Sequence, residues 1–182
     1  MGWFSPVKGS YPSLAQVDKT LPIAEGSGKI ERGTIVALAE DSTGASKNGV
    51  FKVAEASDEI LYVSLQDDTD PTAGFTGTAF GPKGGVPAIT GIDLAQDGEY
   101  ETSVFDGGAD GKKVYTVGQK LYAANGLLTN EGSGKVVGVV TGVPTTRWVN
   151  DAIAVPDKAG STDPRLAKRT GARVSVLRFK TV

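Results

Sequence analysis

Two stretches of this chain run through the same order of residue types. In "ERGTIVAL…NGVFKV…ILYVSLQD", starting at Glu31, a glycine turn opens a strand, an Asn-Gly pair turns the chain back, and a β-rich run follows. "TVGQKLYA…NGLLTN…VVGVVTGV", starting at Thr116, repeats that order with a shorter tip. Asn-Gly between alternating apolar runs is the strongest short-range hairpin signal, because both central positions of the favoured two-residue turn need positive φ. The pattern predicts an internal duplication of a three-stranded meander. A chain built this way is confined to mainly-β architectures, so we expect a compact β-sandwich or barrel.

The rest of the sequence is consistent with that class. Glycine supplies 25 of 182 residues without a collagen period, so its excess marks turns. Further extended segments are expected in "VPAITGIDLAQDGEYETSVF" and in the closing "ARVSVLRFKTV". One short helix is predicted near the C-terminus, in "STDPRLAKRTG", with Asp163 as N-cap, Pro164 at the first helical position and Gly171 as the stop. Residues 1–28 read differently. Pro6, Pro12 and Pro22 interrupt any periodicity, each biasing its predecessor to extended backbone, with room for a helical turn near Leu14 to Asp18. We expect an extended N-terminal arm over 1–28 and a single β-domain over 29–182. Trp3, Phe4 and Tyr11 are aromatic anchors of that arm, to be buried either against its own domain or against a partner.

Chemistry-bearing residues are scarce. The chain has no His and no Cys, which removes the usual neutral-pH base, thiolate nucleophiles and soft metal sites. Carboxylate pairs remain. Asp67, Asp68 and Asp70 form an acidic turn that could offer oxygens to Ca²⁺, but no glutamate stands at the twelfth loop position of an EF-hand. Glu99 and Glu101 alternate on one strand and are expected on its solvent face. Glycine-rich "GPKGG" and "EGSGK" lack the phosphate-loop pattern and its strand-loop-helix setting. No enzyme activity, cofactor or metal is expected. A net charge of −2 gives no footprint for nucleic acid. The basic residues Arg165, Lys168, Arg169, Arg173 and Arg178 cluster late in the chain, which suits a charged protein surface or a solvated face equally. The start "MGWFSPVKG" lacks the apolar core of a signal peptide and the serine or threonine of a myristoylation site. No run is long enough to suggest a membrane span, so a cytosolic protein is expected.

The segment "VYTVGQKLYAANGLLTNEGSGKVVGVVTGVP" resembles a phrase of the capsid decoration (cement) proteins of tailed bacteriophages. Val117, Gly118, Leu121, Tyr122, Asn125, Gly126, Leu128, Thr129, Val136 to Val140 and Pro144 carry the likeness. It extends upstream through "ITGIDLAQDGEYETSVFDGG" and loosely to the first copy from Ile30. The resemblance implies a non-catalytic virion protein, assembled in the host cytoplasm, that binds the outside of an assembled shell. Its partners would be the major capsid protein and further copies of itself, as a homotrimer or alternatively a dimer. Other expectations are a different virion component, from tail, baseplate or head fibre, or a carbohydrate-binding β-module. The last would need Trp148, Tyr100 and Tyr122 on one open face.

Overall fold

A computed structural model describes residues 2, 4–7, 19–44, 46–65, 88–156 and 167–182. The side chains of 6, 147–156 and 167–173 are outside that description. The described residues form eleven strands, β1 (Phe4–Pro6), β2 (Lys19–Pro22), β3 (Ile35–Ala39), β4 (Val50–Val53), β5 (Leu61–Ser64), β6 (Ala88–Asp93), β7 (Glu99–Thr102), β8 (Lys120–Ala124), β9 (Leu127–Thr129), β10 (Val136–Pro156) and β11 (Ala167–Thr181). They form two antiparallel sheets, one of six strands in the order β1-β7-β11-β10-β8-β9 and one of five in the order β2-β6-β5-β3-β4.

Alternation along the strands builds two apolar layers. Ile35, Ala37, Leu61 and Val63 join Leu121, Val140, Leu177 and Phe179 of the other sheet in the main core. Their neighbours Val36 and Tyr62 point the other way, into a second cluster with Phe51, Ile89, Leu21 and Ile30. The five-stranded sheet is therefore covered on both faces, which is why all four residues of β5 are buried.

The duplication is larger than the sequence suggested. With β1 set aside, β7-β11-β10-β8-β9 repeats the order β2-β6-β5-β3-β4 strand for strand, and every pairing in both is antiparallel. Local bonds repeat as well. Gly33 N–H donates to Ser64 C=O as Gly118 N–H donates to Val140 C=O, at 2.7 and 2.8 Å. Glu31 N–H is capped by Thr34 Oγ1 as Thr116 N–H is capped by Gln119 Oε1. Single parallel bridges, Ile23 to Phe51 and Phe105 to Leu128, close the same edge in each unit.

Each unit departs from a meander. The third strand returns to the free edge of the first, so that β5 pairs with β3 and β10 with β8. The outer edge of the middle strand is already taken, because Ala24 N–H donates to Phe51 C=O and Asp106 N–H to Leu128 C=O, both at 2.8 Å.

Two other expectations are corrected. The predicted C-terminal helix is absent over Ala167–Gly171, which belongs to β11, while 161–166 lie outside the described residues. A two-turn helix is below the length at which helices hold without packing, whereas β11 finds a ladder along β10 as far as Pro156↔Ala167. Nor do the described residues of 1–28 stand apart from the domain. β1 pairs with β7 as the edge of one sheet, and β2 pairs with β6 as the edge of the other. The turn expected near Leu14 to Asp18 lies outside the described residues.

Candidate partner-binding surfaces

Of the three proposed anchors, Phe4 is an internal residue. It is 1% exposed and stacks on Tyr100 at 5.1 Å, and Tyr100 in turn tilts against Phe179 at 5.8 Å. The β1 register, Phe4↔Thr102, and the bond from Val7 N–H to Glu99 C=O hold the ring there. As a partner-binding anchor Phe4 is therefore corrected, because its apolar area is already spent on its own core. Trp3 and Tyr11 lie outside the described residues.

The carboxylate candidates are tied into the fold. Glu101 was expected on the solvent face but is buried, at 6% exposure. Its Oε1 accepts from Arg178 Nε at 3.0 Å and Nη2 at 2.7 Å, so the guanidinium covers it. Glu99 accepts from Thr141 Oγ1 at 2.6 Å. Arg178, counted in the basic cluster, is thereby committed to an internal pair. Asp67, Asp68 and Asp70 lie outside the described residues, as does Arg165. Among the described residues no group of three or more acidic side chains is placed to hold a metal ion.

One polar cluster escaped the sequence reading. Lys113 Nζ donates to Asp106 Oδ2 at 2.5 Å, to Thr129 Oγ1 at 3.0 Å and to Glu131 Oε2 at 3.0 Å. The bond from Lys113 holds the Asp106 carboxyl below the usual range, helped by Gly108 N–H. Burial alone would lower the Lys113 ammonium, but its two carboxylate partners outweigh that and leave it raised. Tyr115 donates to Asp106 C=O at 2.7 Å, and burial pushes its hydroxyl far up. These bonds fasten the loop after β7 onto β9. Nothing in the sequence spacing announces them, since the partners come from the β7–β8 connection, the end of β9 and the loop after it.

Among the described residues the surface includes two shallow grooves. One is lined by Ser103, Phe105, Gly107, Lys113 and Pro144, the other by Leu38, Ser46, Asn48 and Ile60. In the second, the Asp41 carboxylate accepts from Thr43 N–H, Thr43 Oγ1 and Ser46 N–H. The carbohydrate-binding arrangement loses a member, because Tyr100 is fully buried.

The two longest strands continue past the sheet as a ribbon. β10 pairs with β8 only through Val136–Val139, and β11 with β7 only from Leu177 onward. Beyond those points the two strands pair with each other alone among the described residues, from Thr145↔Val176 to Pro156↔Ala167. At roughly 3.3 Å per residue, this makes a two-stranded extension of about 35 Å.

Compared with family models, curated proteins and solved structures, the chain matches none.

Proposed function

We propose that this protein binds the outer surface of an assembled phage capsid and reinforces it. The observation that carries the reading is the likeness of Gly118 to Pro144 to the decoration-protein phrase. That phrase coincides with one structural unit, β8, its Asn125-Gly126 tip, β9 and the start of β10. Two further features support it. The candidate carboxylates within the described residues, Glu99 and Glu101, are engaged in bonds that hold the fold. The backbone pairing of β10 with β11 continues past the rest of the sheet, an extension that suits reaching a neighbouring molecule.

Reinforcement then follows from linkage: a ligand with affinity only for the intact shell stabilises it by mass action. Several copies held together add avidity, so the reading includes self-association at a symmetric position, as a trimer or alternatively a dimer. Undecorated expanded heads of the phage that encodes the chain, mixed with purified protein and sedimented, test it. Saturable binding at a symmetry-compatible copy number is expected. Absence of binding at high protein concentration refutes the proposal.

A further inference from the structure

The two Asn-Gly pairs occupy equivalent places, in the β3–β4 and β8–β9 connections, but their backbones are held differently. The side chains of Asn48 and Asn125 are both exposed, so access of water does not separate them. Asn125-Gly126 is a two-residue turn with positive φ at both positions, 50° and 74°, as a tight hairpin requires. Gly126 is buried and gripped by the other structural unit. Its N–H donates to Ala54 C=O at 2.9 Å, and its C=O accepts from Ile35 N–H at 2.8 Å. Asn48-Gly49 instead ends the longer connection between Ala39 and Val50, and there only the glycine has positive φ, 86°. The bonds of Gly49 stay inside that connection. Its N–H donates to Ser46 C=O over a long 3.3 Å, and its C=O accepts from Ser46 Oγ at 2.7 Å.

Glycine has no Cβ to obstruct its own nitrogen, which leaves an Asn-Gly peptide open to reaction with the asparagine side chain before it. We propose that Asn48 is a site of spontaneous deamidation and that the fold protects Asn125 from the same chemistry. The Gly49 nitrogen, its proton lost to base in the solvent, forms a bond to Asn48 Cγ. The side-chain amide nitrogen takes a proton from water and leaves as ammonia. The resulting succinimide takes up one water at either carbonyl and opens to aspartate or isoaspartate. Solvent supplies every co-reactant. Closing the ring requires the glycine N–H to give up its hydrogen bond and the peptide to rotate. At Gly49 that costs one long bond to a residue three positions earlier. At Gly126 it breaks a bond between the two units, so the reaction waits on local opening of the hairpin. The product places a further carboxylate beside Glu40 and Asp41, on the groove that Asn48 lines. Isoaspartate also lengthens the backbone just before Val50, whose register partner is Ala39.

Time-resolved peptide mass spectrometry decides it. The full chain is held in mildly alkaline buffer, native in one series and unfolded by guanidinium in the other, then digested at intervals. Replacement of an amide by a carboxyl is followed at each asparagine separately. In the native series Asn48 is expected to react at least about tenfold faster than Asn125, whose peptide must first open locally. In the unfolded series the two rates are expected to converge, because both sites are then free Asn-Gly peptides. Equal native rates, or a faster Asn125, overturn the proposal. So does a native ratio that persists in guanidinium, since it would assign the difference to neighbouring residues rather than to the fold. None of these outcomes depends on whether the protein binds heads.

Discussion

Replacing Phe4 with alanine tests whether the N-terminal segment belongs to the core. The ring is 1% exposed and stacked on Tyr100 at 5.1 Å, in a chain of aromatics that continues to Phe179. Truncating a buried phenylalanine costs about 3–5 kcal/mol, of which the aromatic pairing accounts for about 0.5–1.5 kcal/mol. For a chain of this size each kcal/mol lowers Tm by roughly 2–4 °C, so the expected fall is roughly 6–20 °C. Phe4→Leu keeps most of the apolar volume and should lose about the pairing contribution alone. Differential scanning calorimetry of the two variants, with urea unfolding as a check on two-state behaviour, gives both numbers. If Phe4→Ala melts within a degree or two of the wild type, the ring is not packed as described and the segment is an independent arm.

Other outcomes follow from single contacts. Gly126→Ala should cost about 2–5 kcal/mol, backbone strain plus overpacking. Its φ of 74° is left-handed and a Cβ would sit 2.8 Å from Thr34 Cγ2, whereas Gly118→Ala, with nothing within 4 Å, should cost only the backbone strain of about 1–2 kcal/mol; paired urea titrations separate them. Arg178→Ala leaves the buried Glu101 carboxylate without its guanidinium and should cost about 1.5–3 kcal/mol by the same assay. Because Lys113 depresses the Asp106 carboxyl, that group stabilises the fold above the unfolded carboxylate pKa, and the contribution disappears as pH falls through the lower folded value. Asp106→Asn should therefore flatten the acid side of the stability profile, and the carboxyl carbon shift of Asp106 should titrate below the usual carboxylate range.

What could be read from the sequence was what local chemistry dictates. Asn125 and Gly126 both adopt positive φ, as the Asn-Gly signal requires, and the glycine turns at Gly33 and Gly118 open β3 and β8 in the register the two quoted stretches imply. Non-local pairing was not legible. No pattern in "LYVSLQD" or "VVGVVTGV" states that the third strand returns to the first, since that depends on Ile23 and Phe105 occupying the competing edges. The helix expectation at 163–171 followed sound capping chemistry that β11 overrides by pairing with a strand more than ten residues away in sequence. Glu101 was misplaced because alternation groups residues by face without saying which face is covered. Arg178, 77 positions away, covers this one.

The claim that the protein reinforces a capsid is tested most directly by the temperature at which heads disrupt, followed calorimetrically with and without added protein. A ligand at about 100 times its Kd stabilises each occupied site by about 2.7 kcal/mol, so the disruption temperature should rise with protein concentration and level off at the same copy number that saturates binding. Heads that bind the protein yet disrupt at an unchanged temperature would contradict the account.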